Sequence, residues 1–380
     1  MALNKSFFIR GLWGVLFLGI ICNYGAAQAF WWSAPNLKYV ETMDEETHGS
    51  SPHYWSFGGP STTDSTSDQT YLYTSDANTN AFFCQYVVQE LRDANSADQV
   101  AHRWATDHTY GVPKGCSQFG TRVVMGNGGQ EEVSFTGYPD DFNIGNESDS
   151  WLEVDESPAC DTLNFNHDGT YLYTNHYSGG ENRMKIHRYK VTASLAEDGM
   201  PFVLDTEWQD GGTFFTSVAR LRNFEVKYID GKDLIYYCEG DADAKTSSAY
   251  VLDPETGVET LLVSDVFAVS EAEDADVVSI KIAGVAAGEP YLYILGNIAG
   301  VKIFKLSADG LQVENDGQPV AFISNSDLND ITGTDAFSSH CRAFEVTDDQ
   351  AYAFFSSHNA SDSIFVIHTL QTAVQDWSIR

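Results

Sequence analysis

The stretch Asp168-Gly169-Thr170-Tyr171-Leu172-Tyr173-Thr174-Asn175, followed by a second apolar stretch at Met184–Val191, decides the fold. Asp-Gly favours a tight turn, because glycine adopts positive φ without a steric penalty. Aromatic and β-branched side chains follow it, and the second stretch is rich in alternating apolar residues; both features are typical of β-strands. The stretch therefore predicts a polar turn, a short aromatic strand, a polar gap and a second strand.

The same pattern recurs along the chain. Copies of the aromatic strand lie at Gln69–Ser75, Asp233–Cys238, Pro290–Ile294 and Ala351–Ser356, with a weaker copy at Thr121–Met125, and equivalent positions are 49 to 63 residues apart. A third strand precedes several of the copies, at Leu163–Phe165, Leu221–Val226, Ser279–Ile282 and Arg342–Val346. A repeat of about fifty to sixty residues made only of short strands indicates the blades of a β-propeller.

The repeats predict an all-β chain folded as a β-propeller, in which each small sheet buries its faces against its neighbours. Six blades account for the chain, and seven are the alternative. Leu37–Thr42 has no inner strand before it, so we expect it to pair with the last blade and close the ring through the N- and C-terminal strands. We also expect outer strands within Pro201–Trp208 and Thr260–Val266, and a helical or loop insertion over Gln89–Gly115.

The motif Asp-Gly-x-Tyr-Leu-Tyr-x-Asn at 168–175, with the alternating strand after it, resembles the YVTN/lactonase-type β-propellers. The resemblance covers residues 155–195 well and the other copies loosely. It implies the propeller fold. It implies no single activity, because these propellers include lactonases, dehydrogenase subunits and plain binding proteins.

The first 29 residues have the pattern of a signal peptide. Lys5 and Arg10 precede an uncharged apolar run, and the segment ends in Ala27-Gln28-Ala29, the small-x-small pattern that a signal peptidase recognises. We expect residues 30–380 to form one exported propeller domain, either secreted or periplasmic, without membrane insertion after cleavage. Export permits disulfides, and the odd count of cysteines after cleavage leaves at least one thiol unpaired, among Cys84, Cys116, Cys160, Cys238 and Cys341.

The composition excludes some classes of partner. The chain has 54 acidic and 21 basic side chains and a formal charge of −33, so a nucleic-acid partner and an anionic membrane surface are disfavoured. Apolar residues make up 43% of the chain, which is enough to build a large core. The acidic surface favours solubility and attracts divalent cations.

Candidate site residues follow from propeller geometry. Loops that enter the inner strands and loops that leave the second strands open onto the same face, so their side chains converge at the mouth of the central channel. The catalytic candidates there are His53, His176, Tyr177 and His340. The substrate-binding candidates are Arg220, Arg222, Arg342, Asn175 and His358. A concentration of Arg and His in so acidic a chain favours an anionic ligand, because Arg presents a planar fork to carboxylate, sulfate or phosphate. The alternative is that these arginines form ion pairs with Asp161, Glu225 or Glu345.

Several functions agree with these residues. The first is an exported enzyme acting on an anionic small molecule or saccharide, either as a lactonase-like hydrolase or as a polysaccharide lyase, with His as base, Tyr as proton donor and Arg on the anion. The second is a non-catalytic secreted propeller that binds a saccharide, calcium or a protein partner. The third is a scaffold subunit of a periplasmic redox complex.

The predicted chemistry requires no cofactor, and calcium is the candidate metal. Oxygen ligands occur at loop spacing, although not in the EF-hand order, at Asp327, Asn329, Asp330 and Asp335. The alternative is that these residues form solvated acidic loops.

Overall fold

The structure is a computed structural model that describes residues 38–41, 71–76, 82–87, 102–106, 113–119, 122–127, 132–136, 150–153, 160–176, 185–191, 202–218, 221–239, 247–267, 277–333, 335–338, 341–357 and 363–368. These ranges form an all-β fold of antiparallel sheets, in which most sheets have four strands. The described part of the chain contains no helix long and apolar enough to span a bilayer.

The first three sheets take the strands in nearly sequential order. Sheet 1 contains β2 (Tyr71–Asp76), β3 (Phe82–Val87) and β4 (His102–Thr106). Sheet 2 contains β5 (Pro113–Phe119), β6 (Arg122–Asn127), β7 (Glu132–Thr136) and β8 (Ser150–Glu153). Sheet 3 contains β9 (Cys160–Phe165), β10 (Tyr171–His176), β11 (Lys185–Val191), β12 (Phe202–Leu204) and β13 (Thr213–Phe215).

The last three sheets repeat this order. Sheet 4 contains β14 (Leu221–Ile229), β15 (Lys232–Glu239), β16 (Ala249–Asp253) and β17 (Val258–Val263). Sheet 5 contains β18 (Val277–Ala283), β19 (Tyr291–Gly296), β20 (Gly300–Lys305) and β21 (Ala321–Ser324), after which helix α1 (Asn325–Thr332) follows. Sheet 6 contains β22 (Cys341–Val346), β23 (Tyr352–Ser357), β24 (Ser363–His368) and the N-terminal strand β1 (Lys38–Glu41).

The sheets lie side by side in chain order. Strand β2 of sheet 1 contacts β5, and the first strands of sheets 2 to 6 contact one another in series, in the order β5, β9, β14, β18 and β22. Strand β1 pairs antiparallel with β24, with Tyr39 opposite Phe365. The expected pairing of the N-terminal stretch with the last sheet is therefore confirmed. A series of small antiparallel sheets in contact through their first strands is a β-propeller-like arrangement.

Asp-based turns connect the first and second strands of the sheets. Asp168 Oδ1 accepts hydrogen bonds from the Thr170 nitrogen at 3.0 Å and from Thr170 Oγ1 at 2.6 Å. Gly169 in the same turn has a φ of 69°, which favours glycine. In sheet 6, Asp349 Oδ1 accepts from the Ala351 nitrogen at 2.9 Å in the corresponding turn. These turns place each aromatic second strand directly after its first strand.

The core lies between neighbouring sheets. One buried cluster joins sheets 4 and 5 through Tyr236, Val251, Ile280 and Phe304, and a second joins sheets 5 and 6. Tyr236 also donates a hydrogen bond to the Gly310 carbonyl at 3.0 Å. The alternating apolar residues therefore bury the sheet faces against each other, as propeller blades require.

One expectation about the architecture is wrong. The segment Gln89–Gly115 is not a helical or loop insertion where the structure describes it. Strand β4 lies within it and pairs with β3, and strand β5 begins at Pro113 and pairs with β6. The sequence did not reveal these strands because His102–Thr106 lacks an alternating apolar pattern, and because Pro113 and Gly115 interrupt the next strand.

Candidate functional site

A β-bulge recurs at the same place in five sheets. Each bulge lies near the beginning of the first strand, opposite the end of the second strand, in sheets 2 to 6. In sheet 3, for example, Cys160 pairs with His176 and Thr162 pairs with Asn175, so Asp161 is the extra residue. Bulges re-aim side chains and are common next to active sites. We call this edge of the sheets the bulge edge.

Charged residues occupy most of the bulge positions. The bulge residues of sheets 2 to 6 are Lys114, Asp161, Arg222, Val278 and Arg342. In β14 the bulge comprises Arg222 and Asn223, which together lie opposite Cys238. Three of the five bulges thus contain a Lys or Arg residue, although only 21 of the 380 residues are Lys or Arg. The bulge edge is the part of the fold where the sequence predicted a site for an anion.

Asn175 connects two sheets at the bulge edge. Its side chain is fully buried, its Oδ1 accepts from the Thr162 nitrogen at 2.7 Å, and its Nδ2 donates to the Leu221 carbonyl at 3.0 Å. The amide therefore fixes the end of β10 against the beginning of β14. Both polar atoms of the Asn175 amide thus take part in hydrogen bonds to the backbone.

A similar tie joins sheets 5 and 6. The Cys341 nitrogen donates to the Asn297 carbonyl at 2.7 Å, so the beginning of β22 is held by the residue that follows β19. Asn297 and Asn325 are buried there, and Asn325 Nδ2 donates to the same carbonyl at 3.4 Å. The backbone at the Arg342 bulge is therefore anchored from the neighbouring sheet.

The structure places the predicted site residues as follows. His176 ends β10, and Arg222 and Arg342 lie at the bulges of β14 and β22, so these three residues share the bulge edge. The remaining catalytic and binding candidates lie outside the described residues: His53, Tyr177, Arg220, His340 and His358. Lys114 was missed by the sequence reasoning. The signal that finds it is a basic residue directly after the first residue of a first strand, as at Arg222 and Arg342.

A second polar layer lies three residues beyond the bulges. Glu225 on β14, Lys281 on β18 and Glu345 on β22 each follow their own bulge residue by three positions. Lys281 Nζ lies 2.9 Å from Glu345 Oε2, and both side chains are about nine-tenths buried. The Ile282 nitrogen donates to Glu225 Oε2 at 2.8 Å. The polar layer thus links three consecutive sheets.

Burial governs the protonation of this layer. Burial raises the pKa of Glu225 to about 7, against the opposing effect of Lys227 and Lys281. Burial also disfavours the charged form of Lys281, but the carboxylates of Glu345 and Glu225 outweigh it and raise the pKa of the amine. Glu225 and Glu345, two of the acids that could have paired with the arginines, are therefore in contact with lysines.

The opposite edge of the sheets carries ties between turns. Asp233 of sheet 4 accepts from the His167 nitrogen at 3.1 Å and lies 2.9 Å from His167 Nδ1. Tyr228 stacks on the same imidazole, with 3.8 Å between ring centroids. Asp348 of sheet 6 accepts in the same way from the Ala286 nitrogen of sheet 5. His167 is thus a turn residue that links sheets 3 and 4.

The candidate calcium ligands belong to helix α1 and to the loop after it. Asp327 forms a capping box with Ser324, accepting from the Ser324 nitrogen at 2.8 Å. Asn329 Oδ1 accepts from the Phe337 nitrogen at 2.7 Å, while Asp330 lies within the helix and Asp335 after it. Across the described ranges, no three His, Cys, Asp or Glu side chains converge as metal ligands would. The calcium site stays a prediction.

Two further titratable side chains are Cys238 and the partly buried His187. Cys238 on β15 is a buried free thiol, and burial raises the pKa of that thiol. Burial lowers the pKa of His187 to about 4, so this strand histidine is neutral near pH 7. The odd cysteine count predicted at least one such thiol, and the disulfides among the other cysteines stay predictions.

Comparison with known proteins bears on the fold alone. No protein-family model matches the chain, and no curated protein sequence matches it. A solved structure of Kuenenia stuttgartiensis hydrazine synthase is similar, with a TM-score of 0.51 and 11% identity over 88% of this chain and 82% of that chain. That structure contains a propeller. The likeness supports the β-propeller-like fold, and at this identity it carries nothing about activity.

A second solved structure, of a mitotic checkpoint complex, gives a TM-score of 0.43 with 12% identity over 78% of this chain and 71% of that chain. This score is too low to carry an argument. In all, 606 solved chains are structurally similar to this one. The chain is thus an all-β, propeller-like protein whose function has to be argued from its own residues.

Proposed function

We propose that this protein is an exported β-propeller that binds an anionic small molecule or saccharide at the bulge edge and acts on it there. The single observation that carries the proposal is the repeated bulge, which puts Arg222 and Arg342 at equivalent positions of sheets 4 and 6, at the same edge of the sheets as His176 at the end of β10. Arginine suits carboxylate, sulfate and phosphate groups. Histidine exchanges protons near neutral pH.

Two reactions fit these residue types. In lactone hydrolysis, a histidine takes a proton from water, the hydroxide adds to the carbonyl, the ring C–O bond breaks, and the leaving oxygen takes up the proton. In uronate elimination, a histidine removes the proton beside the carboxylate, the C–O bond at the next carbon breaks, and Tyr177 protonates the leaving oxygen. In both reactions an arginine stabilises the developing negative charge. His53 and His340 are the further candidates for the base.

The finer features of the fold belong to the same proposal. We propose six blades closed into a ring by β1, membership of the YVTN/lactonase-type propellers, and export directed by residues 1–29. No cofactor is required by either reaction, and a calcium ion bound near helix α1 would be structural. A protein partner and the role of a redox-complex scaffold are the alternatives.

A binding role without catalysis is the second candidate, and the Lys281–Glu345 pair favours it. A channel blocked by acid-paired side chains is what a plain binding propeller would have, and this pair lies in the layer just beyond the bulges. In that case the bulge edge would hold the anion without changing it.

The test uses the purified mature chain. Lactones would be assayed by acid release and uronate polysaccharides by the ultraviolet absorbance of the unsaturated product, with the variants His176→Ala, Arg222→Ala and Arg342→Ala. The control is Lys232→Ala, a lysine at the opposite edge of the sheets. Turnover that falls by about a hundredfold in His176→Ala, as expected for a general base, supports the enzyme. Binding that depends on the arginines without any turnover supports the second candidate, and neither activity would reject both.

A further inference from the structure

We propose that β17, the outer strand of sheet 4, binds an extended basic segment of a partner protein, which joins the sheet as a fifth strand. This surface is separate from the proposed anion site and does not depend on it. The proposal is carried by the length, composition and exposure of β17 and by the charges at its two ends.

Strand β17 is an open edge. The strands of sheet 4 have the order β14-β15-β16-β17, so β17 (Val258–Val263) is hydrogen-bonded to β16 on one side. No other strand of the described ranges pairs with its far side. On an edge strand, unpaired N–H and C=O groups point away from the sheet. These groups can bind the backbone of an added strand.

The strand lacks the features that usually protect an edge, which are short length, proline and charge. The outer strands of the other sheets have three to five residues, whereas β17 has six: they are β1, β4, β8, β12, β13 and β21. Its sequence Val-Glu-Thr-Leu-Leu-Val contains no proline and one charged residue, Glu259. That carboxylate already accepts from the Ser217 nitrogen at 2.9 Å and from the Tyr237 hydroxyl.

The two most exposed large apolar side chains of the described residues also lie on β17. Val258 is 58% exposed and Leu261 is 52% exposed. Successive side chains of a strand point to opposite faces, so these two residues, three positions apart, lie on opposite faces of the sheet. A strand added beside β17 would cover both of them if it carried apolar residues three positions apart.

The charges around β17 favour a basic partner. Glu255, with a side chain that is 71% exposed, lies in the turn before the strand, and the exposed Asp265 follows the strand. The ion-pair network that includes Glu255 has two basic and three acidic members: Arg188, Lys190, Asp205, Glu207 and Glu255. The chain as a whole has a formal charge of −33. It therefore attracts a cationic segment and repels an acidic one, including a second copy of itself.

The experiment uses a labelled six-residue peptide, acetyl-Lys-Val-Thr-Thr-Val-Lys-amide, whose valines are three positions apart. Its affinity for the mature chain is measured by fluorescence anisotropy. With glutamate in place of both lysines, we expect binding at least about tenfold weaker, because the charges then repel. The isomer acetyl-Lys-Val-Thr-Val-Thr-Lys-amide should also lose about tenfold, since one valine no longer meets an apolar side chain. Methylation of the backbone nitrogens should abolish binding, because they can no longer donate to the edge.

Substitutions on the strand test its location. Val258→Lys and Leu261→Lys should each weaken binding of the basic peptide about tenfold, because each removes an apolar contact and adds a repelling charge. Val203→Lys is the matched control, since Val203 is 51% exposed on β12 of sheet 3 and the change in net charge is the same. This variant should bind the peptide like the unmodified protein.

The outcomes decide between occupants of the edge. Equal affinities of Leu261→Lys and Val203→Lys would overturn the proposal, and so would equal binding of the basic and acidic peptides. Sedimentation at increasing salt concentration tests the other occupant. If the protein forms dimers that exclude the peptide and that Leu261→Lys abolishes, the edge takes a second copy and the basic partner is wrong. Circular dichroism and the melting temperature would verify that each variant is folded.

Discussion

Lys281 on β18 and Glu345 on β22 form a buried ion pair between two neighbouring sheets, with 2.9 Å between Nζ and Oε2. The pair lies on the first strands, at the same distance from the bulge in both sheets. Glu225 occupies the equivalent position in sheet 4, and the Lys281 ammonium interacts electrostatically with the carboxylates of both Glu225 and Glu345. This layer fastens three sheets directly beneath the candidate anion site.

Replacing Lys281 should destabilise the fold strongly. Lys281→Met leaves the buried Glu345 without its cation, and the loss of one partner from a buried pair costs about 3–5 kcal/mol of the free energy of unfolding. Lys232→Met is the control, because Lys232 is 58% exposed and lies 3.5 Å from Asp253. Its effect should stay within about 0.5 kcal/mol. Urea unfolding at neutral pH measures both, and equal midpoints for the two variants would show that the buried pair contributes nothing.

Glu225 should make stability fall as the pH rises. Its pKa in the folded protein is raised from an ordinary value of 4.5 to about 7 by burial. The protonated Glu225 side chain contributes its full stability below pH 4.5, the pKa of the carboxyl in the unfolded chain. This contribution is lost as the pH rises through about 7, the pKa of the carboxyl in the folded protein. Between pH 4.5 and 7 the loss amounts to about 3 kcal/mol. Glu225→Gln keeps the acceptor for the Ile282 nitrogen and should lack this loss.

The measurement is the free energy of unfolding of Glu225→Gln and of the unmodified protein from pH 4.5 to 8. The variant should gain on the unmodified protein steadily across this range. Glu207→Gln is the control, because the Glu207 side chain is 87% exposed. A constant difference between Glu225→Gln and the unmodified protein would contradict the prediction.

Arg188 should not be replaceable by lysine. Its Nη2 lies 2.7 Å from Asp205 Oδ2, and its Nη1 lies 2.9 Å from Glu255 of the next sheet. The guanidinium also stacks between Tyr171 and Trp208, at 4.1 and 5.0 Å from the ring centroids. A lysine cannot reproduce this fork and stacking, so Arg188→Lys should cost about 1–3 kcal/mol in thermal or urea unfolding. A variant as stable as the unmodified protein would mean that the charge alone matters.

The hydrogen bonds that Asp233 and Asp348 accept from turns of the neighbouring sheets should act independently of each other. Asp233→Ala removes the acceptor for the His167 nitrogen, and Asp348→Ala removes the acceptor for the Ala286 nitrogen. Each change should speed amide hydrogen exchange at its own turn by about tenfold, the value of one hydrogen bond. Each variant is the control for the other. Faster exchange at both turns in either variant would show that the ties are not independent.

The sequence predicted the strand order because the apolar pattern has the period of a strand. The copies around Tyr171, Leu234, Tyr291 and Tyr352 all lie in second strands, and the stretches before them form first strands. The outer strand β12 also lies in the stretch proposed for it, and β17 overlaps its stretch but begins two residues earlier, at Val258. These elements are specified locally, by side chains that alternate between two faces.

The bulges and the buried polar layer could not be predicted in this way. A bulge is a property of the pairing between two strands, so neither strand reveals it alone. The contacts of Glu225 with the Ile282 nitrogen and of Lys281 with Glu345 could not be predicted, because in each case the partner comes from a neighbouring sheet. Asn175 was expected to bind substrate, yet its Nδ2 donates to the Leu221 carbonyl, 46 residues later in the chain.

Asn175 should be essential to the bulge edge as an amide. Asn175→Asp keeps the acceptor for the Thr162 nitrogen but replaces the donor to the Leu221 carbonyl with an oxygen. At pH 8 the variant would bury a carboxylate beside that carbonyl, at a cost of about 2–4 kcal/mol. Near pH 4 the acid is protonated and its hydroxyl restores the donor, so the cost should shrink. Exposed Asn315→Asp, which lies in a turn with a φ of 59°, is the control.

Stability and binding together decide the role of Asn175. Because Asn175 joins the end of β10 to the beginning of β14 beside the Arg222 bulge, Asn175→Asp should weaken the binding of a uronate at pH 8, even below its melting temperature. The affinity of Asn315→Asp for the same uronate should equal that of the unmodified protein. If Asn175→Asp were destabilised but bound the uronate normally, the tie between sheets 3 and 4 would serve the fold alone. The geometry of the anion site would then be set by the bulges themselves.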